Sequence, residues 1–277
     1  MKKIKNIIVP TDFSVTARNA YHYAKKLAES IDASVTVVHV NEVFIPINGA
    51  PIRRDEREST EALMETFIAD EETMESWVMV QNKVKTRVLK GDLVEELVEL
   101  SKSDGTDLIV IGMTGLQDWM TKILGSASIK IANKSFCPVL LVPHDAKWHS
   151  IDRLMYASDY HSATPKMIQD VIDFSLPFQS QLHFIHVEDA EGDVSKIIWD
   201  ELFTPANKKL SFKIQSIYGE DKIEALKKYA AANQIQLMVF VSQHRGFWEN
   251  LVHSSVTQNV AMASDIPIMV LHTEQPT

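Results

Sequence analysis

Four segments of this chain occur twice, in the same order. IKNIIVPTDFS (residues 4–14) matches DRLMYASDYHS (152–162), which brings Asp12 onto Asp159. ASVTVVHVNE (33–42) matches SQLHFIHVED (180–189), so His39-Val40 falls on His186-Val187. VLKGDLVEELVE (88–99) is paralleled by SIYGEDKIEALKK (216–228) with a one-residue shift, and SFCPVLLVPH (135–144) by SDIPIMVLH (264–272), with Pro138 on Pro267. Chance likeness does not preserve order across four segments, so the chain reads as two homologous units. Its 277 residues then divide into halves of about 140, an ordinary domain size. The expected units are 1–146 and 150–277, joined near Lys147–Ser150.

Each unit alternates strand and helix. In the first, Ile4–Val9, Ser34–Val40, Val84–Leu89, Leu108–Ile111 and Val139–Val142 are short β-branched runs. Between the first two, Ala17, Ala20, Tyr21, Ala24, Leu27 and Ala28 recur at helical spacing behind Ser14, a helix-capping residue. Leu93, Leu97 and Leu100 mark a second helix opened by Gly91-Asp92, and Thr164-Pro165 is a helix start in the second unit. Residues 43–60 lack a counterpart in the second unit and read as an exposed loop leading into a long helix. Strands that are apolar without alternation, separated by helices, indicate parallel sheets covered on both faces. The expected fold class is α/β: two tandem, doubly wound, open parallel sheets.

Composition narrows the functional classes. Hydrophobic residues make up 45% and charged residues 23% of the chain, the balance of a protein able to bury a core. No apolar run reaches the roughly 18 residues of a membrane span, so no membrane partner is expected. The net charge of −9 opposes nonspecific contact with a phosphate backbone, and no nucleic-acid partner is expected. The single cysteine, Cys137, precludes an intramolecular disulfide and suits a reducing cytoplasm. MKKIKNIIVPTDFS reads as a first strand rather than a targeting segment, because Pro10 and Asp12 follow only a short apolar stretch.

The chemistry concentrates after the fourth strand. Residues 112–126, GMTGLQDWMTKILGS, space three glycines and a serine as Gly-x2-Gly-x9-Gly-Ser. Open α/β sheets bind ligands at the carboxyl ends of their strands, near the topological switch point. Pro10-Thr11-Asp12 after strand one, Val40-Asn41 after strand two and the glycine loop converge there. Gly112 and Gly115 let a backbone approach a ligand and permit positive φ. Gly125-Ser126 opens a helix whose unpaired N–H groups favour an anion. Neither the P-loop nor the dinucleotide-binding fingerprint is present. Glycines between strand and helix are also ordinary turn residues, and Asp12, Ser126 and Ser128 also suit helix capping.

The glycine spacing, with the Pro-x-Asp-x-Ser turn after strand one, resembles the universal stress protein family over essentially the whole chain, as a tandem pair. The ATP-binding branch of that family implies an adenine nucleotide across these strand ends. Carried onto this sequence, Pro10, Thr11, Asp12 and Val40 would surround the adenosine. Gly112, Met113 and Gly115 would follow the ribose and phosphates, while Gly125, Ser126 and Ala127 would hold phosphate oxygens. Thr114 departs from the family, which often carries a basic residue there. The implied ligand is ATP, with ADP or AMP left open and magnesium as an accompanying ion. The implied role is regulatory, in a stress response. The two repeats are expected to form an intramolecular pseudo-dimer by pairing the edges Val139–Val142 and Ile268–Leu271, and a homodimer of the chain is a further expectation.

Two other readings stay open: an enzyme that hydrolyses ATP or transfers a phosphoryl or adenylyl group, and a nucleotide-free interaction scaffold. No base beside a nucleophile, no arginine clamp and no metal-binding carboxylate pair accompanies the motif, so no catalytic residue is assigned and at most slow hydrolysis is expected. No metal site of the protein's own is expected, since His183 and His186 point to opposite faces of a strand. Trp119 and Trp248 fall in the two long loops, where closing over a ligand and packing on a partner are both open. In the second unit, anchoring on Pro138 and Pro267 sets Gly112 on Val241, Gly115 on His244, Gly125 on Ser254 and Ser126 on Ser255. Asp159 and Val187 persist, but the glycines do not. The first unit is therefore expected to hold the nucleotide and the second to have lost the site.

Overall fold

A computed structural model of the chain describes residues 3–41, 57–69, 84–103, 105–113, 124–158, 164–188, 211–219, 222–242 and 266–272. It divides into two compact units, one holding Ile4–Met113 and Thr121–His144, the other built on Asp145–Thr277.

The first unit runs β1 (Asn6–Pro10), α1 (Val15–Ile31), β2 (Ser34–Asn41), α2 (Arg57–Ala69), β3 (Val84–Lys90), α3 (Leu93–Lys102), β4 (Leu108–Met113), α4 (Leu124–Lys134) and β5 (Val139–Pro143). Its strands are parallel in the order β3-β2-β1-β4-β5. Strand order therefore reverses between β1 and β4, which defines the switch point. Right-handed crossovers place α1 and α2 on one face and α3 and α4 on the other. Tyr21 of α1 accordingly meets Phe67 of α2 with ring centroids 5.6 Å apart, and α3 packs on α4.

Local chemistry accounts for the helix ends. Ser14 Oγ accepts the Ala17 N–H at 3.1 Å and opens α1. Asp32, left-handed at φ 57°, ends it. All six apolar positions expected on α1 are buried, joined by Tyr23 and Ile31. Asp92 caps α3 through the Glu95 N–H at 3.0 Å. Ser59 and Thr60, read from sequence as loop, are helical: Thr60, Met64 and Phe67 form the buried stripe of α2. Residues 43–56 of the expected loop lie outside the described residues.

The second unit runs β6 (Arg153–Ser158), α5 (Pro165–Ser175) with a short 3-10 turn at Leu176–Phe178, β7 (Gln181–Glu188), β8 (Phe212–Tyr218), α6 (Lys222–Ala232), β9 (Leu237–Ser242) and β10 (Ile268–His272). Its parallel order is β10-β9-β6-β7-β8. Thr164 caps α5 with Pro165 at its start.

The repeat is written into the backbone. Ser34 N–H donates to Lys5 C=O at 2.8 Å, and Gln181 N–H to Asp152 C=O at 2.7 Å. Ile109 N–H donates to Pro138 C=O at 3.0 Å, and Met238 N–H to Pro267 C=O at 3.0 Å. Asp107 Oδ2 accepts the Asn6 N–H at 2.9 Å where Gln236 Oε1 accepts that of Arg153 at 2.7 Å. Counting from these bonds sets Pro10 on Ala157, His39 on His186 and Gly112 on Val241. That is the register of the sequence repeat.

Candidate functional site

The switch point of the first unit is open, and Pro10 is the reason. Alternate residues of a strand direct their N–H and C=O to opposite neighbours. Asn6 bonds on the β4 side, through Asp107, while Thr11 N–H donates to Val38 C=O of β2 at 2.9 Å. Ile8 and Pro10 therefore face β4, and Pro10 has no N–H to give. The β1–β4 ladder accordingly covers only Ile7–Leu108 and Ile8–Ile109, although β1–β2 continues to Pro10 and β4–β5 to Met113. In the second unit the residue at that place is Ala157, which has an N–H. There the ladder continues through Tyr156–Val239 to Ala157–Phe240.

The chain leaves β1 through a tight turn that is already organised. Thr11 is buried, and its Oγ1 accepts the Phe13 N–H at 2.9 Å. Asp12 Oδ1 accepts the Ser14 N–H at 3.0 Å, and Phe13 is left-handed at φ 64°. Asp12 is exposed, and its second carboxylate oxygen has no protein partner among the described residues. It is an acceptor turned toward solvent at the mouth of the crevice.

Next to it, His39 changes what β2 presents. Its Nδ1 lies 2.8 Å from Thr11 C=O. A carbonyl only accepts, so the proton sits on Nδ1. Nε2 lies 3.0 Å from the Asn41 side-chain oxygen, so the ring bridges the turn after β1 and the end of β2. A parallel ladder would have given Thr11 C=O to the Val40 N–H. With that carbonyl taken, Val40 N–H and C=O face past the end of β1 with no backbone partner among the described residues. The recurrence of a histidine at this strand end, His39 on His186, was the signal for it in the sequence.

On the far side of the crevice, Gly112 and Met113 end β4. A Cβ on Gly112 would lie 2.7 Å from both Cγ2 and the carbonyl oxygen of Thr16, in the first turn of α1. The missing side chain thus serves helix-on-sheet contact. Gly112 does not take the left-handed φ that the sequence allowed for. Ser128 is not a helix cap: its Oγ donates to Gly112 C=O at 3.1 Å and ties α4 to β4. Asn19 Nδ2 donates to Pro143 C=O at 3.0 Å, fixing α1 over the end of β5.

Of the ten residues singled out from the sequence, Pro10, Thr11, Asp12, Val40, Gly112 and Met113 sit at the carboxyl ends of β1, β2 and β4. Gly125, Ser126 and Ala127 fall at the amino-terminal end of α4 as described, Leu124–Lys134. Gly115 lies outside the described residues, as do Trp119 and Trp248. Cys137 is buried, and burial pushes its thiol up to about 12, so it is a packed residue rather than a nucleophile. In the second unit Val241 ends β9 where Gly112 ends β4.

An open parallel sheet whose strand order reverses between β1 and β4, with a Pro-x-Asp turn and a glycine-bearing strand end at that point, places this unit among the doubly wound α/β domains. The comparison with known families agrees with the finer grouping: residues 3–143 match the model of the Universal stress protein family. The chain belongs to that family, as a tandem member. It is 31% identical over 147 residues to a universal stress protein of Methanocaldococcus jannaschii, covering 52% of this chain and 84% of that one. Against a universal stress protein of Mycolicibacterium smegmatis it is 24% identical over 284 residues, covering 96% of each. The solved universal stress protein of Archaeoglobus fulgidus shares its fold with a TM-score of 0.68 at 19% identity, covering 96% of both chains.

Proposed function

We propose that the first unit binds an adenine nucleotide, ATP in the first instance, and that its occupancy serves a regulatory role. The observation that carries this reading is the β1–β4 ladder that ends early beside unused polar groups. A backbone N–H and C=O at Val40 complement the amino donor and adjacent ring-nitrogen acceptor of adenine. The second Asp12 oxygen suits a ribose hydroxyl. In this reading Gly112, Met113 and Gly115 follow the sugar and phosphates. The first N–H groups of α4, at Gly125, Ser126 and Ala127, meet the phosphate oxygens, favoured by the helix dipole. Magnesium bound with the phosphates would offset their charge.

The second unit is proposed to have lost this grip. Ala157 closes the ladder that Pro10 leaves open, and Val241 replaces Gly112. The test is to denature the purified chain, identify any nucleotide released, and titrate ATP into the emptied protein. Replacing Gly115 by Val should abolish binding and leave the fold intact; unchanged affinity would remove the glycine loop from the site.

A further inference from the structure

The turn that carries Asp12 packs on one side against α2 through Phe13 and Phe67. Phe13 adopts a left-handed backbone that residues with a Cβ rarely take. Its ring is held between two others. The His39 ring lies 4.7 Å away, and the Phe67 ring meets it edge-on at 5.8 Å. Phe67 is in the last turn of α2 and only 2% exposed. Arg18 lies over the Phe67 ring at 4.7 Å and donates to the Phe67 carbonyl at 3.2 Å. Tyr21 completes the seam, and its hydroxyl is buried there with no hydrogen-bond partner among the described residues.

We propose that Phe13 is a positioning residue that couples ligand occupancy at Asp12 to the docking of α2. The inference rests on the reading of the crevice as a nucleotide site. When α2 is docked, Phe67 walls the Phe13 ring and favours the left-handed turn that points the Asp12 carboxylate outward. When α2 lifts, Phe13 loses that wall and relaxes toward ordinary backbone angles, and Asp12 turns with it. A nucleotide that binds only the docked form must hold α2 down, and the two effects are equal in size by linkage.

Hydrogen exchange of the full chain, with and without saturating ATP, tests this without a mutation. Amides of residues 57–69 should slow by about 5-fold or more on binding, in the range of typical couplings. In parallel, Phe67→Ala should raise the Kd for ATP by a similar factor, and Phe67→Leu, which keeps an apolar wall, should restore most of the affinity. Unchanged exchange across 57–69 with ATP bound overturns the coupling, as does an unchanged Kd in Phe67→Ala. If the wild-type chain binds no ATP, the nucleotide reading itself fails, and the coupling with it.

Discussion

Pro10 and Ala157 occupy the same place in two homologous sheets, and only Ala157 is paired with the strand on its inner side. One missing N–H separates a sheet that opens at its switch point from one that stays closed. Proline at a strand end is tolerated because the ladder ends there. Here that ending is the mouth of the proposed site, so the asymmetry between the units begins in the covalent chemistry of one residue.

Restoring the donor should close the crevice. Pro10→Ala is expected to let the β1–β4 ladder extend, leaving the thermal midpoint unchanged or raised, while ATP affinity falls on the order of 10-fold. The converse change, Ala157→Pro, should cost the second unit at least about 1 kcal/mol, through the lost ladder bond. Calorimetry and thermal unfolding of the two variants check both statements. Undiminished affinity in Pro10→Ala would disconnect the ladder from the site.

Gly112 offers a test that separates packing from ligand contact. A methyl group there meets backbone of α1 at 2.7 Å, which cannot move aside as a flexible side chain would. Gly112→Ala should therefore destabilise the nucleotide-free chain by roughly 1–3 kcal/mol. Urea unfolding of the empty protein measures this. A variant as stable as wild type would return Gly112 to a purely ligand-facing role.

Much of this was legible in the sequence because it follows from short-range rules. Ser14, Asp92 and Thr164 marked helix starts, the alanine stripe of α1 marked its buried face, and the repeat fixed Pro10, His39 and Gly112 against their counterparts. The part that was hidden depends on what lies across space. Nothing in the spacing of Gly112 says that its Cβ direction is filled by Thr16, and nothing in Ser128 says that it reaches the Gly112 carbonyl. Ser59 and Thr60 looked like loop because polar residues favour caps and turns, yet Met64 and Phe67 bury one face of α2 and override that preference. His39 could not be read as more than a strand residue until Thr11 C=O was seen beside it.

The second unit carries a group that sets its acid stability. His183 is 2% exposed, with Nδ1 2.9 Å from the Tyr229 hydroxyl and Nε2 3.0 Å from the Gln181 side-chain oxygen. Burial first, then the charges of Lys213 and Arg153, lower its pKa from 6.5 to about 4. Those two cations hold the end of α6, Lys213 through Asn233 Oδ1 and Arg153 through Gln234 Oε1, so they remain in place as the pH falls. Above the unfolded value both states are neutral and the group contributes no pH dependence. Between about 6.5 and 4 the unfolded chain takes up a proton that the folded one refuses, so stability should fall with pH, by at most about 3 kcal/mol. His183→Asn should flatten that part of the pH profile of unfolding, and an unaltered slope would assign the loss to other groups.

Of the two homologous sheets, one is proposed to hold the nucleotide. Isothermal titration of ATP into the nucleotide-free full-length chain tests it most directly, with Pro10→Ala and Ala157→Pro titrated alongside. One strong site per polypeptide is expected, weakened by Pro10→Ala and untouched by Ala157→Pro. Two sites of comparable affinity, or none, would contradict it.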